Sequence, residues 1–235
     1  MSSTWRTAYR SFYYEPMAGD DLPDIVLPAE QTALLVIDLQ VGYLPEATPP
    51  HATPADIAEW RRWAPFRERL RTTVLPSTQR LLAHFRAAGR EVIFARIACL
   101  TKDGRDRSLS QARPGFNNLL LPLHAADSQI LPEVAPLPEE IVVTKTTDSA
   151  LTGTNLRLLL TNLGIRHVVV CGIFTDQCVA STVRSLADES FNVIVVDDAC
   201  AAATDELHRA ELTIINNIYC QVLTTDETLS ALNPA

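Results

Sequence analysis

The sequence HVVVCGIFTDQCVASTVRSLADE, residues 167–189, runs from an apolar segment rich in β-branched residues directly into a segment with helical periodicity. Near-continuous hydrophobicity of this kind is typical of a strand buried on both faces. The alternation recurs along the chain and predicts an α/β fold, with a six-stranded, mostly parallel, Rossmann-like sheet between two helical layers. The predicted strands are residues 33–38, 91–97, 141–144, 167–173, 192–196 and 220–224, and the predicted helices are residues 65–88, 154–163, 176–189 and 204–217.

Several predicted helices carry signals at their ends. Thr154, Asp176 and Thr204 stand at the starts of helical segments and are predicted to be N-caps. Gly89 and Gly164 follow helical segments, where a terminating residue in the left-handed conformation is expected. These signals support the predicted boundaries.

The chain is predicted to form one domain. Its 235 residues and 47% hydrophobic content suffice for one large core, and we place the domain at residues 31–235. Residues 1–30 show no clean periodicity but are rich in aromatic side chains, so we expect an N-terminal arm that wraps the domain or a neighbouring subunit. Residues 44–63 also lack a clean period and are predicted to form a loop.

The charge and the hydropathy pattern argue against two classes of partner. The chain has 20 Lys+Arg against 28 Asp+Glu, a net charge of -8, so we expect no nucleic-acid partner. No apolar run approaches the roughly 20 residues that cross a bilayer, and the first residues lack the apolar stretch of a secretory signal. We therefore expect a cytoplasmic protein without a membrane partner. Five cysteines without a CxxC pair do not indicate a disulfide framework.

Three residues at predicted strand ends could carry chemistry, because open parallel sheets bind ligands beyond the carboxyl ends of their strands. Cys178 lies in the first turn of a predicted helix, where unpaired amides and the helix dipole favour the thiolate. Asp38 and Lys145 each close an apolar strand, where a carboxylate can serve as a base and an ammonium group needs anionic partners. The backbone N–H groups of Phe174 and Cys178 are candidate donors to an oxyanion.

Each of these residues also has a purely structural alternative. Cys178 could simply pack in the core, Asp38 could serve a turn, and Lys145 could extend its stem along the sheet edge. A thiol, a carboxylate and an ammonium group at the same edge of the sheet nevertheless fit a single catalytic site.

Three segments in this order resemble a known group of enzymes. LLVIDLQVGY at residues 34–43, KTTDSAL at 145–151 and GIFTDQCV at 172–179 closely resemble the cysteine hydrolases of the isochorismatase-like superfamily. This superfamily includes nicotinamidases, N-carbamoylsarcosine amidohydrolase, biuret hydrolase and ureidoacrylate amidohydrolase. The resemblance covers roughly residues 30–225, and the 33 positions from Lys145 to Cys178 (178 − 145) are similar to the spacing in the carbamoyl-cleaving members.

The resemblance implies a mechanism. Cys178 would be the nucleophile that forms a thioester acyl-enzyme, Asp38 would take the thiol proton and later activate water, and Lys145 would order the pair. It also implies a cis peptide between Ile173 and Phe174, just before the oxyanion donor. The implied activity is cleavage of a C–N bond in a small amide or ureide.

Further features bear on the substrate and the cofactor. Nicotinamidases add an Asp-x-His metal motif, whereas His51, His84, His124, His167 and His208 form no such unit, so we expect no metal and no cofactor. True isochorismatases lack the nucleophilic cysteine, so Cys178 indicates amide cleavage.

Four residues are candidate substrate contacts. Tyr43, Phe174 and Asn155 would line a small pocket, and Arg105 in the loop of residues 99–108 would receive a carboxylate. Ordinary packing is the alternative for Tyr43 and Phe174, and a solvated charged loop is the alternative for Arg105.

Two alternative functions remain open. One is hydrolysis of another amide or ester, as in nicotinamidase-, maleamate- or antibiotic-hydrolase-like enzymes, and the other is a catalytically silent binding protein. We expect a small-molecule partner and a homodimer or homotetramer.

Overall fold

The computed structural model of the protein describes residues 8–17, 21–22, 24–48 and 50–232. A six-stranded sheet flanked by helices forms its centre, and every pair of neighbouring strands is parallel. The predicted α/β class and strand number are confirmed. The strands are β1 (Thr32–Ile37), β2 (Val92–Ile97), β3 (Ile141–Lys145), β4 (His167–Ile173), β5 (Asn192–Ala201) and β6 (Gln221–Leu223).

The helices cover the sheet and connect its strands. They are α1 (Pro54–Arg62), α2 (Ala64–Arg69), α3 (Leu75–Ala87), α4 (Leu109–Ala112), α5 (Leu156–Asn162), α6 (Ala180–Asp188), α7 (Asp205–Ile215) and α8 (Thr225–Leu232). π-Helical turns at Leu70–Val74 and Thr175–Val179 lead into α3 and α6. In the described ranges, no helix combines the length and the apolar character that crossing a membrane requires.

The strand order, β3-β2-β1-β4-β5-β6, places the topological switch point between β1 and β4. All six residues of β1 are buried, which explains its unbroken apolar sequence. The chain leaves β1 toward β2 on one side and leaves β4 toward β5 on the other. A crevice therefore opens between the carboxyl ends of β1 and β4, where such sheets bind ligands.

Gly172 allows β1 and β4 to approach each other closely at this point. Its φ is +124°, and a Cβ atom there would overlap the backbone carbonyl of Ile37. Only glycine combines this backbone conformation with the required space. A glycine is therefore required at position 172, beneath the crevice.

Several helix boundaries differ from the sequence predictions. The predicted helix 65–88 is divided by the π-helical turn into α2 and α3, and the predicted loop 44–63 contains α1. A capping box in which Thr53 and Asp56 bond reciprocally starts α1, with proline in its first turn. That local signal was present in the sequence, but the mostly polar helix has no apolar stripe, and none of its residues is buried.

The predicted N-caps have different outcomes. The Thr204 side chain accepts from Leu207 N–H, so this cap is confirmed. The Thr154 prediction is wrong by one position, because the N-cap of α5 is Asn155, although the Thr154 hydroxyl does accept from Leu156 N–H. The Asp176 prediction is wrong, because Asp176 lies inside the π-helical turn.

The described part of the N-terminal arm lies against its own domain. Tyr9 packs on the core, and its hydroxyl donates to Asp197 Oδ2 at 2.8 Å. Asn216 Nδ2 donates to the carbonyls of Ala8 and Tyr9 at 3.0 and 3.3 Å. Residues 1–7, 18–20 and 23 of the predicted arm lie outside the described residues.

Candidate active site

The side chains of Asp38, Lys145 and Cys178 meet at the carboxyl edge of the sheet. Lys145 Nζ lies 2.7 Å from Asp38 Oδ2 and donates to Cys178 Sγ at 3.2 Å. Its third partner is the carbonyl of Thr147, at 3.1 Å. An ammonium group has three donors, and here three acceptors surround it. The Lys145 and Asp38 side chains are at most 1% exposed, so this ion pair is shielded from solvent.

Local backbone geometry directs Asp38 into the crevice. Asp38 follows β1 with a φ of +51°, a left-handed conformation that aspartate adopts more readily than most residues. Its N–H donates to the carbonyl of Ala95, which holds the turn against β2. Gln40 secures the same turn, because its buried side-chain amide donates to the carbonyls of Ile97 and Ser128 and accepts from Ile97 N–H.

A sharp change of direction after β4 carries Cys178. The Ile173–Phe174 peptide bond is cis, at the position that the resemblance implied. The carbonyl of Phe174 accepts from the N–H groups of Gln177 and Val179, which closes the wide π-helical turn. Cys178 is only 5% exposed, so the turn presents its sulfur to the crevice and shields it from bulk solvent.

The electrostatics of the sulfur differ from the sequence expectation. Burial raises the pKa of the Cys178 thiol well above its ordinary value; Lys145 opposes this effect, whereas Asp38 and Asp148 add to it. This direction is opposite to the bias toward a thiolate that the sequence predicted. The turn is also π-helical, so the sulfur does not stand in the first turn of a regular α-helix.

The ion pair beside the sulfur is strongly coupled. Burial raises the pKa of Asp38 against the opposing effect of Lys145. Burial alone would lower the pKa of Lys145, but Asp38 and Cys178 outweigh it and raise that pKa. Lys145 thus favours the ionised forms of Asp38 and Cys178, whereas burial favours their neutral forms. A carboxylate with a raised pKa is a better acceptor for the thiol proton.

A narrow pocket, with a cavity volume of about 10 Å³, opens onto this group. Of the predicted substrate contacts, Tyr43 and Phe174 line it, and their rings meet edge to face at 5.4 Å. Phe66 and Phe116 pack on Phe174 at 5.0 and 5.3 Å, which holds its ring in place. The walls of the pocket are close together, which favours a small substrate.

Asn155 and Arg105 do not reach this pocket, which corrects two of the predicted substrate contacts. Asn155 is exposed at the start of α5. Arg105 is also exposed and pairs with Asp103 at 2.9 Å. Asp106 accepts from the N–H groups of Leu100 and Thr101, and this tight turn directs Arg105 outward.

Sequence reasoning missed four polar residues of the pocket wall: Gln111, Asn117, Asp148 and Gln177. Asp148 Oδ1 lies 3.8 Å from Cys178 Sγ and accepts from Gln111 Nε2 at 2.5 Å. Asp148 lies within the quoted segment KTTDSAL, and its position three residues after Lys145 was an available signal. Gln111 lies in the short helix α4 and Asn117 in the turn after it, where the sequence gives no comparable indication.

Metal-ligating side chains are not grouped in the ranges that the structure describes: no three His, Cys, Asp or Glu residues are placed to hold one ion. His208 instead bonds Asp197 Oδ1 and Thr175 Oγ1, each at 2.8 Å.

Comparison with known proteins gives consistent matches over most of the chain. The sequence profile described as "Isochorismatase domain" matches residues 32–227. The chain is 33% identical over 218 residues to the uncharacterized isochorismatase family protein YecD of Escherichia coli O157:H7, covering 88% of this chain and 98% of YecD. It is 28% identical to the ureidoacrylate amidohydrolase RutB of Acinetobacter baylyi, covering 83% and 81% of the two chains.

A solved structure shares the fold. The crystal structure of a cysteine hydrolase from Pseudomonas syringae pv. phaseolicola 1448A aligns with a TM-score of 0.73 and 24% identity. The alignment covers 90% of this chain and 96% of that chain.

Proposed function

The chain belongs to the isochorismatase family of hydrolases, and from that membership we propose that it is a cysteine amidohydrolase acting on a small amide or ureide. The observation that carries the proposal is the position of Lys145 Nζ, in contact with both Asp38 Oδ2 and Cys178 Sγ. The similarity to a ureidoacrylate amidohydrolase supports the amide class of substrate.

The first half of the proposed reaction forms a thioester. Asp38 accepts the proton of the Cys178 thiol while the sulfur attacks the substrate carbonyl carbon. The backbone N–H groups of Phe174 and Cys178 receive the negative charge that develops on the carbonyl oxygen. When the tetrahedral intermediate collapses, the C–N bond breaks and Asp38 returns the proton to the leaving nitrogen.

The second half regenerates the enzyme. Asp38 takes a proton from a water molecule, whose oxygen attacks the thioester carbonyl. The C–S bond then breaks, the acid product leaves, and the sulfur regains its proton from Asp38. Lys145 remains cationic throughout and stabilises whichever of its two neighbours carries negative charge.

This mechanism accounts for the pKa directions at the site. A thiol whose pKa is raised by burial is protected from indiscriminate reaction. It becomes a nucleophile when a bound carbonyl and a carboxylate base are both in reach.

The test is release of ammonia or amine from biuret, ureidoacrylate, N-carbamoyl amino acids, maleamate and nicotinamide. We expect release from at least one carbamoyl substrate, unchanged by a chelator, because the three side chains suffice for the chemistry. Cys178→Ala should abolish release, whereas Cys220→Ala, which changes a buried cysteine beside β6, should retain it.

Two results would count against the proposal. Substantial turnover by Cys178→Ala would remove the nucleophile assignment. Absence of turnover on the whole panel, together with a Cys178 thiol inert to iodoacetamide, would favour a catalytically silent member of the family.

A further inference from the structure

The pocket wall carries a second carboxylate, Asp148, that the proposed reaction does not use. Its Oδ1 lies 3.8 Å from Cys178 Sγ. Gln111 Nε2 donates to the same oxygen at 2.5 Å, which fixes the orientation of the carboxylate. Asp148 thus stands next to the reacting sulfur as a fixed part of the wall.

The charges around the pocket do not balance. Lys145 is neutralised by Asp38 at 2.7 Å. Over residues 8–17, 21–22, 24–48 and 50–232, no cationic side chain lies within ion-pairing distance of Asp148. One negative charge therefore faces the substrate without a counter-ion. A substrate carboxylate here would meet like-charge repulsion in a partly desolvated site.

Apart from Asp38, Cys178 and the Tyr43 hydroxyl, the other polar groups of the wall are neutral amides, from Gln111, Asn117 and Gln177. Amide groups can donate or accept, and the Asp148 carboxylate can only accept hydrogen bonds. The set therefore suits a ligand with several N–H donors and a carbonyl, such as a urea or a primary amide. Because Asp148 can only accept hydrogen bonds, it makes the pocket prefer ligands with N–H donors.

We propose that Asp148 determines specificity: it favours uncharged, N–H-bearing amides and ureides and disfavours substrates that carry a carboxylate near the cleaved bond. This inference rests on the proposed function, because it assigns the substrate class of the same site.

Arg107 offers the competing arrangement, in which a cation receives a substrate carboxylate. It lines a cavity that shares Tyr43 and Gln111 with the pocket. Its guanidinium group already donates to the Gly104 carbonyl, to Asn118 Oδ1 and to the Leu119 carbonyl, at 3.0, 2.9 and 3.1 Å. These bonds engage Nε and Nη1 and hold the guanidinium group toward the loop, so the geometry favours the selection by Asp148.

The first test measures whether the pocket prefers a neutral or an anionic reagent, and it does not depend on substrate turnover. Iodoacetamide and iodoacetate alkylate thiols alike but differ in charge, so the ratio of their rates at Cys178, normalised to free cysteine, reports the charge preference. Peptide mass spectrometry assigns the modification to Cys178. We expect the wild type to prefer iodoacetamide, and Asp148→Asn to reduce that preference on the order of tenfold.

The ratio separates selectivity from reactivity. Asp148→Asn also removes a charge that raises the pKa of Cys178, so both reagents are expected to react faster with the variant. Asp103→Asn removes one charge from the exposed loop that carries Arg105 and should leave the ratio unchanged. An equal preference for both reagents in the wild type, or an unchanged ratio in Asp148→Asn, would overturn the proposal.

The second test uses matched substrates, N-carbamoylglycine N,N-dimethylamide and N-carbamoylglycine, which share the carbamoyl group; a tertiary amide in the first compound replaces the carboxylate of the second. The wild type should show a higher kcat/KM for the neutral compound, and Asp148→Asn should narrow the difference. Faster cleavage of the carboxylate compound by the wild type would overturn the specificity assignment and leave the amidohydrolase proposal intact. If the alkylation ratio behaves as expected while neither compound is cleaved, the charge preference stands and the proposed function is what fails for these substrates.

Discussion

The Lys145 ammonium group is the positive charge that offsets the Asp38 carboxylate in the site. Its ammonium group contacts a carboxylate, a sulfur and a carbonyl in a place where solvent cannot screen any of them. The sequence indicated this arrangement, because a lysine and an aspartate that end buried strands need each other. The polar residues of the pocket wall could not be predicted in the same way, since Gln111 lies in a helix of only 4 residues and Asn117 in the turn after it, and neither has a periodic pattern.

Removing Lys145 should destabilise the fold as well as stop the reaction. Lys145→Met leaves Asp38 buried without its counter-ion, and breaking a buried pair costs about 3 to 5 kcal/mol of unfolding free energy. Urea denaturation at pH 8 measures this loss, and the double variant Asp38→Asn, Lys145→Met should regain most of the stability but no activity. Full stability of Lys145→Met at pH 8 would contradict the buried ion pair.

The acid limb of the activity profile should reflect Asp38. Burial raises the pKa of Asp38 above 3.8, and the base must be ionised to accept the thiol proton. Activity should therefore fall on acidification at a pH higher than an ordinary carboxyl group would give. kcat/KM measured against pH checks this, with circular dichroism showing that the fold persists over the same range. A limb at the ordinary carboxyl value would argue against Asp38 as the base.

At the scale of elements, the buried strands were predictable and the turns around the site were not. The apolar runs of β1 and β4 leave few choices other than buried parallel strands. The π-helical turn Thr175–Val179 depends on tertiary contacts and has no periodic signature. The pairing of β4 with β5 likewise shifts between Val170 and Gly172, so β5 continues to Ala201 through polar residues that break the strand pattern.

Gly172→Ala tests the close approach of β1 and β4. The added Cβ would overlap the Ile37 carbonyl at a φ of +124°, so we expect a loss of about 3 kcal/mol or more in unfolding free energy. Gly164→Ala is the matched control, because its φ of +72° is also left-handed but nothing lies within 4 Å of the added atom. That variant should lose only about 1 kcal/mol. Equal losses in urea denaturation would show that crowding beneath the crevice is unimportant.

At the scale of the whole molecule, a chain of hydrogen bonds connects the N-terminal arm to the π-helical turn that carries Cys178. The Tyr9 hydroxyl donates to Asp197, Asp197 bonds His208, and His208 bonds Thr175, which lies three residues before Cys178. None of these contacts follows from local sequence, because the partners lie up to 188 positions apart. The resemblance identified Asp38, Lys145 and Cys178 as candidate site residues. The hydrogen bonds from the arm to the turn are visible only in the folded chain.

Tyr9→Phe should weaken this connection by about 1 kcal/mol of unfolding free energy, the net worth of one hydrogen bond. Burial alone would raise the pKa of Asp197, but bonds from His208 and Tyr9 outweigh it and lower that pKa. A carboxylate held in this way stabilises the fold above its unfolded-state pKa near 3.8, and the contribution disappears as the pH falls through the lower folded-state value. The loss of unfolding free energy in Tyr9→Phe should therefore be present at pH 7 and shrink in strong acid.

Tyr13→Phe is the control. It changes an aromatic residue that is 75% exposed and should show no loss of unfolding free energy at either pH. If Tyr9→Phe and Tyr13→Phe unfold alike at pH 7, the arm does not contribute to stability through Asp197.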